Sequence, residues 1–311
     1  MGPYLSTPRT EKHTQFAENS RLRFASSDMQ GWRMTMEDAK IVNLTFDTSS
    51  EIFGVYDGHG GSEVAEFVTR HLCQELLNNP NYHQGNIDIA LQETYLRLDE
   101  LQNTQDGIKE LIRISKKLPE GSPVNPDELI VQAGCTAVTA LIKGNQLYVA
   151  NAGDSRCVLC RDGVAVDLSI DHKPDLPEEK NRIYRADGMV EDGRVMGNLN
   201  LSRSIGDLEY KTNLSIPQRE QMISAFPDVR KETLGPRDEF IVLACDGVWD
   251  MLTSQQCVNF IRERINAKPL QQIIEELLDR CLSPSVGANA GLGCDNMTAI
   301  IVQFKHPLSN Q

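Results

Sequence analysis

Short runs in which nearly every position is apolar punctuate this chain: Ile52-Phe-Gly-Val-Tyr56, Leu147-Tyr-Val-Ala-Asn-Ala-Gly153, Ile241-Val-Leu-Ala-Cys245 and Met297-Thr-Ala-Ile-Ile-Val302. Runs this short, flanked by turn residues, read as strands buried on both faces. The wider pattern predicts strands near 22–29, 40–46 and 51–56, then helices near 62–77 and 86–116. After a Pro/Gly/Ser-rich loop at 117–126, strands resume near 135–143, 146–151, 156–161 and 164–168. A helix near 176–187 follows. Residues 189–220 have little apolar periodicity and many Gly, Asn and Ser. Strands near 221–225 and 239–245, helices near 254–265 and 269–282, and a strand near 297–304 complete the pattern, with no repeat array.

Each of the four apolar runs has an aspartate at one end. Asp57, Asp154 and Asp246 follow their runs, and Asp295 comes just before its run. Antiparallel neighbours bring such positions to one sheet edge, where rigidly held carboxylates suit a hard cation. Asp-Gly is also a common turn signal, and the chain contains it six times. Asp162-Gly163 reads as a hairpin turn, and Asp187-Gly188 and Asp192-Gly193 as loops. Asp57-Gly58 and Asp246-Gly247 lead into helices instead of return strands. The pattern therefore points to a metal-dependent hydrolase.

Composition narrows the classes. With 311 residues and 40% apolar content the chain is able to bury a large core. The net charge of −13 argues against a nucleic-acid partner. No apolar run of about 18 residues or signal-type segment is present, and the eight scattered cysteines read as reduced core residues. Cys157 and Cys160 have CxxC spacing, but no second pair supports zinc. A cytoplasmic enzyme is expected.

The segments Arg33-Met-Thr-Met-Glu37-Asp38, Val55-Tyr-Asp57-Gly-His59-Gly-Gly61, Ala152-Gly-Asp154-Ser-Arg156, Asp171-His-Lys-Pro174, Leu201-Ser-Arg-Ser-Ile-Gly-Asp207, Ala244-Cys-Asp246-Gly-Val-Trp-Asp250 and Asp295-Asn-Met-Thr298 occur in order over nearly the whole chain. This series resembles the motifs of the metal-dependent protein serine/threonine phosphatases, type two C. The resemblance implies an α+β fold, a four-layer α-β-β-α sandwich of two stacked, mostly antiparallel sheets flanked by helices. It implies one catalytic domain over 21–305 with a flap at about 189–220, an exposed tail at 1–20 and a short tail at 306–311. The implied reaction is hydrolysis of phosphoserine and phosphothreonine in proteins, by direct attack of a hydroxide bridging two Mn²⁺ or Mg²⁺ ions.

By the same resemblance Asp57 bridges the metals, and the Gly58 carbonyl binds one of them. Glu37 serves that metal directly or through water, while Asp246 and Asp295 complete the other shell. Asp154 matches a position tied to a third, weaker metal shared with Asp246; otherwise it caps its turn or pairs with Arg156. Asp38, Asp250 and Asn296 are expected to support the ligands. Arg33 is assigned to the substrate phosphate, because a guanidinium holds two oxygens at once, against the alternative of a salt bridge with Glu37. His59 beside the ligands is the natural general acid for the leaving alkoxide. His172 is expected to stabilise a turn.

Two positions depart from the family pattern: Ser169-Ile170 precedes Asp171, and Asp187-Gly188 stands where the family often has Gly-Gly. A long helical C-terminal appendage, present in some relatives, is not expected. Met1-Gly2-Pro-Tyr-Leu-Ser6 matches the N-myristoylation pattern at Gly2, against a plain exposed tail. Membrane contact is expected only with that acyl chain, otherwise a monomer acting on phosphoproteins. A pseudophosphatase is disfavoured because the ligand set is complete, and a nuclease because no basic, aromatic-interleaved stripe is present.

Overall fold

In the computed structural model, which describes residues 4–126, 132–289 and 291–305, the apolar runs divide between two cores. Cys157, Leu159, Ile241, Leu243, Ile300 and Val302 enter one core, and their neighbours Val158, Cys160, Phe240, Val242, Ala299 and Ile301 enter another. This is the two-residue period of a strand with no solvated face. It also sends Cys157 and Cys160 to opposite sides, and both are free, buried thiols.

One sheet contains β1 (Tyr4–Lys12), β2 (Gln15–Glu18), β3 (Leu22–Arg33), β10 (Arg156–Arg161), β11 (Val164–Asp167), β16 (Asp238–Ala244) and β17 (Met297–Phe304). Its order is β1-β3-β17-β16-β10-β11, with β2 also on β3. The second contains β4 (Ala39–Asn43), β5 (Ser50–Tyr56), β8 (Ala137–Lys143), β9 (Gln146–Ala152) and β15 (Asp228–Thr233), ordered β15-β9-β8-β5-β4. All these pairings are antiparallel. A small third sheet joins β6 (Gly58–His59), β7 (Gly134–Cys135) and β14 (Ile205–Gly206), and β12 (Val190–Glu191) pairs with β13 (Arg194–Val195).

The helices form the outer layers. α1 (Glu63–Asn78), α2 (Pro80–His83), α3 (Ile87–Gln102) and α4 (Gln105–Ser115) cover the second sheet through Phe67, Leu72, Leu91, Tyr95 and Leu111. α5 (Pro177–Arg185) sits with the flap. α6 (Asp246–Trp249), α7 (Ser254–Arg262) and α8 (Leu270–Cys281) cover the first sheet through Trp249, Val258, Ile274 and Leu277. Between the sheets lie Phe24, Phe53, Val138, Val149 and Ile300. Each fully buried side chain of this size contributes about 1.5–3 kcal/mol. The arrangement is the expected α-β-β-α sandwich. Among the described residues no helix is long and apolar enough to cross a membrane.

The structure corrects three expectations. Residues 4–18, expected as part of an exposed tail, form β1 and β2 against β3, with Tyr4 opposite Arg33 and Phe16 opposite Ala25. Their side chains are mostly polar and exposed, so only backbone pairing marks them as strands. The helix expected over 86–116 is two helices, because the Thr104 hydroxyl accepts from Gly107 N–H at 3.0 Å and caps α4. The strand expected at 221–225 lies instead at Asp228–Thr233, a polar edge strand, whereas Ile223 packs with Ile183 and Val195 beneath the flap. Residues 306–311 and Gly2 lie outside the described residues.

Candidate active site

Strand direction gathers the aspartates. β16 and β17 run antiparallel with Ala244 opposite Ala299, so Asp246 beyond one strand end faces Asp295 before the other. In the second sheet Val55 pairs with Val138 and Ala137 with Ala152, which puts Asp57 and Asp154 at a common end. The two ends meet in a cleft of about 340 Å³. Arg33, Glu37, Asp57, Gly58, His59, Asp154, Asp246, Asp295 and Asn296 all line it, together with Thr136 and the flap residues Asn200 and Leu201. Asp38 and Asp250 do not line it. Asp38 lies beside Asp57, and Asp250 is exposed one turn after Asp246, its N–H donating to the Asp246 carbonyl at 2.8 Å.

The carboxylates repel one another. Burial, then the charges of Asp38, Asp246, Asp295 and Asp154, push the Asp57 carboxyl well above the usual carboxylate range. Burial and then Asp154, Asp295 and Asp250 do the same to Asp246. Asp38 is pushed up to about 7, chiefly by burial. Both Asp38 carboxylate oxygens are buried, with the Thr298 hydroxyl and the Cys245 thiol as their neighbours.

A cluster of this kind calls for a cation, since ionised carboxylates this close are otherwise mutually destabilising. The nearest soft donor is Cys245, whose ligand atom lies within 4.8 Å of those of Asp38 and Asp57. Burial and the neighbouring aspartates hold its thiol protonated, well above its ordinary range. The remaining donors are oxygens, the set that Mg²⁺ and Mn²⁺ prefer. The residues therefore fit such ions.

Asn296 shapes the entrance. Its buried side chain accepts from Glu37 N–H at 2.9 Å and donates to the carbonyls of Gln30 and Thr35 at 2.8 and 2.9 Å. Those three bonds pin the segment after β3 that carries Glu37. The Glu37 carboxylate accepts from the Thr35 hydroxyl at 2.6 Å and from Gly61 N–H at 3.2 Å. Arg33 donates to Asp295 at 2.5 Å, so its partner is a candidate metal ligand and not Glu37. Its Nε is buried without a partner.

His59 has a partner that the sequence reading did not single out. Its Nε2 lies 2.7 Å from Asp207 Oδ2, and the Ser204 hydroxyl donates to the same oxygen. Burial disfavours the imidazolium, but the charge of Asp207 and its hydrogen bond outweigh this and raise the His59 pKa above the ordinary histidine value. The small third sheet brings the pair together: Gly58 and His59 face Cys135 and Gly134, and Cys135 and Gly134 face Ile205 and Gly206. A Cβ on Gly134 would collide with both Asp207 Oδ2 and His59 Nε2, so the strand between them has room only for glycine. The signal for Asp207 was its motif, Ser204-Ile-Gly-Asp207, inside a segment without periodicity.

Asp154, 2% exposed, pairs with Lys173 and not with Arg156. Arg156 instead grips Asp171 with two bonds, at 3.0 and 2.8 Å. His172 supports the turn before Asp154 as expected: its Nδ1 accepts from Gly153 N–H at 3.2 Å, and its Nε2 meets Asp228 at 3.1 Å.

Known proteins include relatives of the whole chain. The sequence profile of the family described as protein phosphatase 2C matches residues 22–290. The chain is similar to a Paramecium tetraurelia protein named probable protein phosphatase 2C 3, with 49% identity over 98% of this chain and 100% of that one. It is also similar to probable protein phosphatase 2C 21 of Arabidopsis thaliana, with 44% identity over 99% and 94%. The fold resembles the crystal structure of a serine-threonine phosphatase 2C from Toxoplasma gondii, with TM-score 0.73 and 22% identity over 97% and 98% of the two chains.

Proposed function

Because this chain belongs to the protein phosphatase 2C family, we propose that it hydrolyses phosphoserine and phosphothreonine in proteins at a centre of two Mn²⁺ or Mg²⁺ ions. The observation that carries this reading is the gathering of Asp57, Asp154, Asp246 and Asp295 on one cleft that also presents Arg33 and His59. When bound, the ions supply a hydroxide near neutral pH and neutralise the phosphate. Asp57 would serve both, Gly58 and Glu37 one of them, and Asp246 and Asp295 the other. Asp154 with Asp246 would hold a third, weaker ion, for which Lys173 is the resident competitor. Asp38, Asp250 and Asn296 support these ligands. The acidic balance favours a phosphoprotein over a nucleic acid as partner. The same reading has a monomer acting in the cytoplasm or nucleus, with reversible membrane contact only through an acyl chain on Gly2.

The chain's own groups divide the remaining work. Arg33 grips the phosphate with the donors that Asp295 leaves free. His59 protonates the serine or threonine oxygen as it leaves, with Asp207 holding the imidazole. Phosphate release from phosphoserine, phosphothreonine and diester substrates, with Mn²⁺ present, tests the class. Monoester peptides are expected to be hydrolysed, and faster turnover of a diester would overturn the proposal.

At Arg33 the expectation is a binding defect. Arg33→Ala keeps its metal dependence but raises KM for a phosphopeptide by about tenfold, equal to the ~1.5 kcal/mol of one charge-assisted hydrogen bond. Arg33→Lys restores only part, because one ammonium does not reproduce the planar fork. Steady-state kinetics with inorganic phosphate as competitor checks this. An unchanged KM and phosphate inhibition constant in Arg33→Ala would make Arg33 a partner of Asp295 only.

A further inference from the structure

The turn carrying Asp207 is tied to α3 by a buried ion pair that the assignments above leave without a role. Asp99, on α3, is 5% exposed. One of its oxygens accepts from Gly206 N–H at 2.8 Å, and the other accepts from Lys211 Nζ at 2.5 Å. Lys211 also donates to the Ser204 carbonyl at 2.8 Å. One ammonium thus closes residues 204–211 into a loop, and one carboxylate fastens that loop to a rigid helix.

Inside this loop the backbone is in an unusual state. Gly206 has φ +83° and Asp207 has φ +49°, two successive left-handed residues. Glycine takes that conformation freely and aspartate more readily than other residues with a Cβ, so the hydrogen bonds around the turn decide how firmly Asp207 is held there. Asp207 N–H donates to the Ala133 carbonyl at 3.0 Å, and Asp99 and Lys211 hold the Gly206 N–H and the Ser204 carbonyl just before it. The outcome is that Asp207 Oδ2 faces His59.

We infer that Asp99 and Lys211 are positioning residues for proton delivery: they hold Asp207 in its left-handed conformation against His59. This rests on the reading of His59 as the general acid. A general acid matters for a poor leaving group such as serine alkoxide and little for an activated aryl oxide. A loss of positioning therefore shows as a difference between the two substrates, whereas a merely structural ion pair affects both alike.

Asp99→Leu with Lys211→Met tests this, since removing both charges leaves no buried charge unpaired. With saturating Mn²⁺, kcat on a phosphoserine peptide is expected to fall by about tenfold or more, part of the 10²–10⁴ that proton transfer contributes. Turnover of p-nitrophenyl phosphate should change by less than about twofold, with Mn²⁺ affinity and a cooperative thermal melt retained. An equal loss on both substrates, or no loss in the folded double variant, overturns the inference. If that variant does not fold, Asp99→Asn with Lys211→Gln replaces it. The two amides keep the shape but lose the charge assistance of the bonds that tie the loop to α3, so a weaker difference of the same kind is expected, and its absence overturns the inference equally. His59→Gln is measured in parallel. If it shows no difference between substrates, the general-acid reading itself fails; if only His59→Gln shows one, the role of Asp99 and Lys211 alone is refuted.

Discussion

Asp246→Asn is expected to remove more than about 100-fold of the phosphopeptide rate and to weaken Mn²⁺ binding by at least as much. Loss of an outer partner alone costs 10–100-fold, and Asp246 is read as a direct ligand. The fold should survive. Asp246 is a buried carboxylate whose proton affinity is raised, first by burial and then by Asp154 and Asp295. A group raised in the folded state destabilises the metal-free protein as pH rises from the unfolded carboxylate range toward the folded value. A neutral amide removes that penalty. The metal-free variant should therefore melt at or above the wild-type temperature at neutral pH, while added Mn²⁺ stabilises it less. Calorimetric Mn²⁺ titration and melts with and without metal check both halves. Wild-type Mn²⁺ affinity in Asp246→Asn would remove it from the ligand set.

His59→Gln is expected to divide substrates by their leaving group. Proton delivery by a positioned side chain contributes about 10²–10⁴-fold, so the phosphoserine peptide rate should fall by about 100-fold or more. An activated aryl phosphate needs no proton and should lose far less. The pH profile carries a second mark. Despite its burial, the Asp207 charge raises the His59 pKa, and a general acid works while protonated. Peptide turnover limited by this step should thus persist below the raised pKa and decline as pH rises through it. Asp207→Asn removes the charge and should move that decline to lower pH. Equal loss on both substrates in His59→Gln would assign the imidazole to the metal centre instead.

Much of this site is readable without coordinates because strand ends are rigid and strand direction is simple. Asp57, Asp246 and Asp295 each adjoin a run buried on both faces, and antiparallel pairing then fixes where they meet. The sheets and outer helices follow from the same apolar periodicity. What escaped the sequence reading has little apolar content. β1 and β2 are edge strands of polar residues, and β15, Asp-Val-Arg-Lys-Glu-Thr, buries almost nothing. Asp207 lies in a left-handed turn of the flap, whose contact with His59 depends on the small sheet through Gly134. Lys173 reaches Asp154 across 19 residues of chain, and Asp99 reaches Lys211 across 112, so neither pairing has a local sequence signal.

The repelling carboxylates around Asp57 are read as holders of divalent ions for phosphate hydrolysis. Hydrolysis of a phosphoserine peptide, followed while Mn²⁺, Mg²⁺ or excess chelator is added to the full chain, tests this reading most directly. Turnover is expected with either ion, absent in chelator and restored by adding back Mn²⁺. Undiminished turnover in excess chelator would contradict it.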